Sequence, residues 1–169
     1  MKTGQNPSNI VIRKCGEADV DEIYEIINDA AQAYRGVIPE DMWHDPYMSK
    51  LALMQELQDG VVFWGMVEND SLVGVMGMQD KGDVALIRHA YTKTDQRTKG
   101  IGSRLLKFLD RETDKTILVG TWADATWAIS FYQKNGYKLV SEIEKNQLLH
   151  DYWNIADRQI QTSVVLAKR

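Results

Sequence analysis

A glycine-containing segment in the second half of the chain has the residue types that bind a phosphate group. Gly100 and Gly102 stand at the start of an amphipathic stretch, where they let the backbone approach a ligand without a Cβ clash. The free N–H groups at a helix start, together with the helix dipole, favour phosphate oxygens. Arg97 and Lys99 add mobile positive charge beside them. The segment therefore predicts a pyrophosphate site.

Two other phosphate-binding motifs do not fit these letters. A dinucleotide-binding fingerprint needs a third small residue three positions after Gly102, where the chain has Leu105. A P-loop needs Gly-Lys-Ser/Thr after its glycine run, whereas the chain reads Gly-Ile-Gly-Ser from Gly100. Both motifs are therefore excluded.

The elements that position this segment follow from the hydrophobic periodicity. A strand at 84–92 precedes it, and a helix with Ile101, Leu105, Leu106 and Leu109 on one face follows. The other predicted strands are 10–14, 61–67, 72–79, 116–122, 137–143 and 160–167, and the other helices are 20–34, 48–57, 125–134 and 148–152. Short polar turns predict an antiparallel meander early on, and the later strand–helix–strand alternation requires a parallel pairing.

We therefore expect an α/β (α+β) fold with a mixed, mostly antiparallel central sheet of about seven strands and helices on both faces. Residues 1–9 are polar and predict a flexible start, and residues 10–169 predict a single domain.

Composition narrows the function classes. A net charge of −4 argues against general nucleic-acid binding, which needs a clustered positive surface. No apolar run approaches the roughly 20 residues that span a bilayer, so no membrane partner is expected. Cys15 is the only cysteine, which excludes an internal disulfide and fits the cytoplasm. No metal is expected, because the histidines lie far apart and show no ligand spacing with cysteine: His44, His89 and His150.

Two blocks of sequence carry a family resemblance. Residues 97–102 read Arg-Thr-Lys-Gly-Ile-Gly, and residues 131–137 read Phe-Tyr-Gln-Lys-Asn-Gly-Tyr. In this order they resemble the R/Q-x-x-G-x-G/A pyrophosphate loop and the FYxKxGF segment of GNAT N-acetyltransferases. The resemblance covers residues 10–168. Residues 34–39, Tyr-Arg-Gly-Val-Ile-Pro, are also similar to small-molecule and phosphinothricin-like acetyltransferases.

The resemblance implies acetyl-CoA as the cosubstrate. Backbone amides of the loop would hold its pyrophosphate, and the strand ending at Tyr91 and Thr92 would pair with the pantetheine arm. A bulge in that strand would splay it from the 116–122 strand and open a slot. The implied cofactor-binding residues are Tyr91, Thr92, Arg97, Thr98, Lys99, Gly100, Ile101, Gly102, Ser103 and Tyr132.

The resemblance also implies two catalytic positions. A backbone N–H near Thr92 would polarise the thioester carbonyl, and Tyr132 would protonate the departing CoA thiolate. The chain departs from the family pattern at Ala125, where asparagine is usual, and at Thr94 and Thr98, where proline and glycine are common.

The acceptor is expected to be the primary amine of a small molecule or an amino-acid-like compound. Its predicted binding residues are Tyr34, Arg35, Arg88 and Trp122. Arg88 faces the slot as a ligand for a carboxylate or phosphate, or else forms a salt bridge. Strand alternation places His89 on the opposite face, so the general base is left open.

Two alternatives keep the fold and change the function. The acceptor could be a protein N-terminus or lysine, or the chain could bind acyl-CoA as a sensor without catalysis. Family members are often dimers, so a homodimer is a candidate assembly.

Overall fold

The structure, a computed structural model, describes residues 9–169 and contains one seven-stranded sheet. Its strands are β1 (Ile10–Lys14), β2 (Val61–Glu68), β3 (Ser71–Asp80), β4 (Val84–Thr92), β5 (Thr116–Trp122), β6 (Lys138–Leu139) and β7 (Ser163–Lys168). They lie in the order β1-β2-β3-β4-β5-β7-β6, with β4 and β5 parallel and the other neighbours antiparallel. The predicted fold class is confirmed.

Helices cover both faces of this sheet. They are α1 (Val20–Ala31), α2 (Lys50–Gln58), α3 (Ile101–Asp110), α4 (Thr126–Lys134), α5 (Glu142–Tyr152) and α6 (Asp157–Gln161). Helices α3 and α4 pack on the face that carries Met76 and Ile87. Helices α1, α2 and α5 pack on the other face, against neighbours such as Val75 and Leu86. Successive residues of a strand therefore point to opposite faces of the sheet and pack in different hydrophobic cores, as the two-residue period of a strand requires.

A bulge in β4 separates this strand from β5. Their parallel pairing runs from Val84 to Ile87 and then stops. On the β3 side, Gly77 pairs with Arg88 and Val75 pairs with Tyr91. The two β4 residues between Arg88 and Tyr91 therefore face the single β3 residue between Val75 and Gly77. A Cβ at Gly77 would lie 2.8 Å from the Arg88 carbonyl oxygen, which is why glycine stands there. The predicted bulge and splay are confirmed.

The region after α4 differs from the sequence prediction. The expected strand 137–143 is reduced to β6, because α5 already begins at Glu142 with Ser141 as its N-cap. The Ser141 hydroxyl accepts the amide of Glu144 at 3.2 Å, and the Ser-x-x-Glu spacing was a capping signal that the periodicity argument overlooked. Helix α6 was also missed, and β7 starts at Ser163 rather than at residue 160.

The predicted flexible start, 1–9, lies outside the described residues except for Asn9. Within residues 9–169, no helix is both long enough and apolar enough to cross a membrane.

Candidate functional site

Two cavities meet where β4 and β5 separate. The larger, called here the groove, has a volume of about 330 Å³ and is bounded by Tyr34, Tyr91, Thr92, Arg97, Gly102 and Tyr132 among others. The smaller, called the slot, has a volume of about 150 Å³ and is bounded by Tyr34, Tyr47, Arg88, His89, Trp122 and Gln159 among others. Tyr34, Tyr91 and Tyr132 line both cavities. A reaction between two molecules, one in each cavity, would take place at these tyrosines.

The glycine segment forms a turn at one end of the groove, called here the anion-binding turn after the ligand predicted for it. Gly100 is the N-cap of α3 and adopts the left-handed conformation with φ of 74°. Among the described residues, the backbone amides of 97–103 donate to no protein acceptor, so they are available to a ligand. Arg97 and Lys99 are exposed beside them. The turn therefore has free donors, positive charge and a helix N-terminus in one place.

The predicted cofactor residues fall into two groups. The first group lines the groove: Tyr91, Thr92, Arg97, Thr98, Gly102 and Tyr132. The others stand in the turn without lining the groove: Lys99, Gly100, Ile101 and Ser103. In that second group the side chain of Ile101 is buried in the core, which leaves only its backbone amide for a ligand.

Thr98 is held in a strained backbone conformation. Its φ is 69°, in the left-handed region that β-branched residues avoid. We expect Thr98→Gly to raise the free energy of unfolding by about 1 kcal/mol. This is the backbone strain that glycine relieves minus the cost of its greater conformational freedom in the unfolded state. Thermal unfolding should show a Tm increase of about 2–4 °C.

The matched control for this change is Thr94→Gly. Thr94 is exposed and lies in a 3-10 turn with ordinary φ, so glycine there should lower the Tm. Equal shifts at the two positions would contradict the strain at Thr98.

Tyr132 stands at the junction of the two cavities with its ring buried. Its side chain lies between Phe131, Tyr137 and the sheet, and the residue is 6% exposed. Burial raises the pKa of the Tyr132 phenol far above its usual value, and the nearby Tyr34 adds to the effect. The phenol is therefore protonated throughout the neutral range and can donate a proton or a hydrogen bond.

Ala125 occupies the position where the family pattern has asparagine. It is fully buried and serves as the N-cap of α4 without a side-chain hydrogen bond. Asn135, at the other end of α4, donates to Ser103 at 3.3 Å and so ties this helix to the anion-binding turn. Ala125 itself offers no polar group to a ligand.

The bulge corrects the prediction for His89. Strand alternation placed His89 opposite Arg88, but both side chains contact the same carboxylate, that of Glu56 on α2. The extra residue in β4 cancels the alternation, and His89 adopts a left-handed φ of 53° to fit. Such backbone outliers concentrate at functional sites. Neither the bulge position nor the Glu56 contact had a signal in the local sequence.

Glu56 orients the imidazole of His89. The His89 Nε2 forms a short hydrogen bond with Glu56 Oε2. Burial alone would raise the pKa of Glu56, but the His89 bond and the charges of His89 and Arg88 lower this pKa below its usual value. Because an ionised carboxylate only accepts hydrogen bonds, it holds Nε2 as the donor and fixes the orientation of the ring.

Aromatic side chains form the walls of the slot. Tyr47 packs edge-on to Tyr91, and Tyr34 packs edge-on to Tyr91 from the groove side. Burial, assisted by Tyr47, raises the pKa of Tyr34 to about 12, so this hydroxyl also remains neutral. Of the predicted acceptor residues, Tyr34, Arg88 and Trp122 line the slot. Arg35 does not, because its guanidinium lies over the Trp43 ring at 5.6 Å.

Helix α6 closes one side of the slot. Gln159 lines the slot, and the Ser163 hydroxyl donates to the Gln159 carbonyl at 2.5 Å. Arg158 forms a bidentate pair with Asp41 of the α1–α2 connection, with N···O distances of 2.8 and 2.9 Å. Two segments far apart in sequence thus meet next to Gln159, which lines the slot.

In the described part of the chain, no three His, Cys, Asp or Glu side chains are grouped to hold a metal ion.

Three solved structures illustrate the similarity of this fold to known proteins. The PaiA N-acetyltransferase of Thermoplasma acidophilum with coenzyme A is 20% identical with a TM-score of 0.71, covering 95% of this chain and 99% of that one. A GNAT acetyltransferase of Elizabethkingia anophelis with bound acetyl-CoA is 21% identical (TM-score 0.62, coverage 95% and 98%). The ribosomal-protein-S18-alanine N-acetyltransferase of Escherichia coli is 15% identical (TM-score 0.65, coverage 94% and 92%). The fold is that of GNAT acyl-CoA N-acyltransferases.

The sequence match agrees with the fold. Residues 59–139 match the family described as acetyltransferase (GNAT) domain, and this range includes the anion-binding turn and Tyr132. This stretch therefore matches a GNAT acetyltransferase domain, as the two sequence blocks predicted. A comparison with curated proteins finds no match.

Proposed function

We propose that this protein transfers the acetyl group of acetyl-CoA directly to a primary amine of a small molecule. The observation that carries the proposal is the meeting of the groove and the slot at Tyr132, next to a turn with free amides. The coenzyme A and acetyl-CoA found in GNAT neighbours support this choice of cosubstrate.

The groove suits acetyl-CoA by its chemistry. The amides of the anion-binding turn, with Arg97 and Lys99, would take the pyrophosphate. The edge of β4 left free by the splay, ending at Tyr91 and Thr92, would accept the pantetheine arm as an added strand. A backbone N–H near Thr92 would then polarise the thioester carbonyl.

The slot supplies a base for the amine. His89 Nδ1 would accept the ammonium proton, with Glu56 fixing the ring and stabilising the imidazolium. The amine nitrogen then attacks the thioester carbonyl carbon, and the C–S bond breaks as the amide bond forms. Tyr132 donates its phenolic hydrogen to the leaving sulfur; its raised pKa keeps that hydrogen in place until negative charge develops there. The second hydrogen that the attacking nitrogen must lose then returns to the Tyr132 oxygen, which restores the phenol.

The dimensions of the slot favour a small acceptor over a protein segment. A volume of about 150 Å³ with the Arg158–Asp41 pair alongside leaves little room for an extended peptide. The likeness of residues 34–39 to phosphinothricin-like acetyltransferases remains part of this proposal.

The first test is ligand-induced thermal stabilisation. Acetyl-CoA at about 100 times its Kd should stabilise the protein by about 2.7 kcal/mol, whereas NADH and ATP at the same concentration should not. Release of the CoA thiol during incubation with a panel of primary amines then measures transfer.

Each result decides something. Stabilisation by acetyl-CoA with amine-dependent thiol release supports the enzyme. If acetyl-CoA stabilises the protein, and CoA thiol is released with a peptide N-terminus or lysine but with no small amine, the acceptor is a protein. Stabilisation with no release at all favours a sensor, and no stabilisation by acetyl-CoA overturns the proposal.

A further inference from the structure

The charges around the slot are one-sided. Among the described residues that line it, the side chains able to carry charge are Arg88 and His89, and both are basic. The carboxylate nearest to them, Glu56, is not part of the lining and already accepts the hydrogen bond of His89. Arg88 is therefore the permanently charged side chain of the described slot lining, available to whatever enters beside the groove.

Arg88 is held in place by a buried amide. Gln79 is 4% exposed, and its Oε1 accepts from Arg88 Nη1 at 3.2 Å while its Nε2 donates to the Asp59 carbonyl at 2.9 Å. The second bond fixes which end of the amide faces the guanidinium. Arg88 thus has a rigid orientation, with 23% of its side chain exposed.

The pairing of Arg88 with Glu56 leaves donors unused. Their N···O distance of 3.4 Å exceeds the 2.7–2.9 Å typical of a charge-assisted bond, because Glu56 is bound more closely by His89. A guanidinium has five N–H donors, and Gln79 and Glu56 engage one each. The remaining donors can take a planar or tetrahedral oxyanion.

We propose that the acceptor is an amine that also carries an anionic group, a carboxylate or a phosphate, and that Arg88 binds this group. The inference rests on the proposed transferase function and names its substrate class. An anion at Arg88 places the amine of the same small molecule near His89, its neighbour in the bulge.

The same charge would exclude other amines. Polycationic acceptors and basic protein tails would meet Arg88 as a like charge, and no acidic side chain of the described slot lining compensates. Arg88 also favours the neutral form of a nearby amine, which is the form that attacks the thioester.

The test compares matched acceptors. Thiol release from acetyl-CoA is measured for the proteinogenic amino acids and their carboxamides, and for aminoalkyl phosphates and phosphonates against the parent aminoalkanes. For the wild type we expect kcat/KM for the anionic member to exceed that of its neutral partner by about 10- to 150-fold. The phosphate and carboxylate arms identify which oxyanion the slot prefers.

Variants assign this preference to Arg88. Arg88→Gln should reduce the ratio of kcat/KM between the anionic and the neutral acceptor to near unity. Arg88→Lys keeps the charge but loses the planar, two-pronged donor geometry of the guanidinium, so it should retain part of this ratio. Arg111→Gln is the control, since Arg111 is exposed at the end of α3 on the other face and should leave the ratio unchanged. The acetyl-CoA Tm shift of each variant checks folding.

The outcomes separate the two proposals. Anionic preference that falls with Arg88→Gln but not Arg111→Gln supports the inference. If the enzyme transfers acetyl groups but prefers the neutral or cationic acceptor of each pair, the inference is overturned and the proposed transferase function stands. If Arg88→Gln does not fold, the Arg88→Lys enzyme decides. A preference for anionic acceptors that is smaller than in the wild type supports the inference, and an unchanged preference contradicts it. Acetyl-CoA binding without transfer to any acceptor overturns both.

Discussion

Tyr132→Phe should lower kcat by about 10²- to 10⁴-fold, the range that general-acid groups contribute. The change removes only the hydroxyl at the junction of groove and slot, and the ring packing against Phe131 and Tyr137 is kept. Within residues 9–169 the structure gives this hydroxyl no hydrogen-bond acceptor, so its loss should leave the Tm almost unchanged. Steady-state kinetics with acetyl-CoA and calorimetric binding of CoA measure the two effects separately.

Tyr137→Phe is the matched control. Tyr137 donates to Asp110 at 2.8 Å, away from both cavities, so its hydroxyl contributes to stability and not to transfer. We expect a stability loss of about 1 kcal/mol with unchanged kcat. A Tyr132→Phe enzyme with wild-type kcat, or one that no longer binds CoA, would remove Tyr132 from the role of acid.

His89→Asn should produce the second large loss, again about 10²- to 10⁴-fold in kcat/KM. Asparagine tolerates the left-handed backbone of the bulge better than most residues, so the fold should be maintained. The loss should shrink as the pH rises, because the acceptor amine then arrives neutral and needs no base. Steady-state kcat/KM of both enzymes across pH measures this.

The pH profile distinguishes a base from a residue that only supports the slot. His150→Asn serves as the control, because His150 is 80% exposed on α5 and distant from the reaction in the described fold. If the loss in His89→Asn is the same at every pH, or if its rate matches that of His150→Asn, His89 does not act as the base.

The predicted cofactor half of the site has a signal in the sequence because its chemistry is local. The anion-binding turn depends on consecutive backbone amides and two glycines, so one segment of ten residues around Gly100 contains its whole signal. Tyr132 likewise stands within a recognisable block. The early antiparallel meander and the presence of a parallel pairing were also predicted, since short polar turns require antiparallel neighbours and a helical crossover allows a parallel one.

The acceptor half was less accessible because it depends on contacts between distant segments. His89 was assigned to the wrong face by a rule that holds only for a regular strand, and its partner Glu56 comes from α2, 33 residues earlier. Helix α6 is only five residues long, too short for a periodic pattern, and Arg158 reaches Asp41 across 117 residues. Arg35 was misplaced because a cation next to an aromatic loop can stack on Trp43 instead of facing a ligand.

The bulge in β4 makes the whole site depend on a single inserted residue. Deleting Ala90, one of the two residues that face Met76, would restore regular pairing with β3 and turn the His89 side chain to the face opposite Arg88. A sheet without this irregularity could also pair β4 with β5 along more of their length, and the gap between them would close. Loss of one codon from the gene would therefore leave a regular sheet and remove the gap in which the groove and the slot meet. Substitutions at the same positions would alter only the side chains that line this gap.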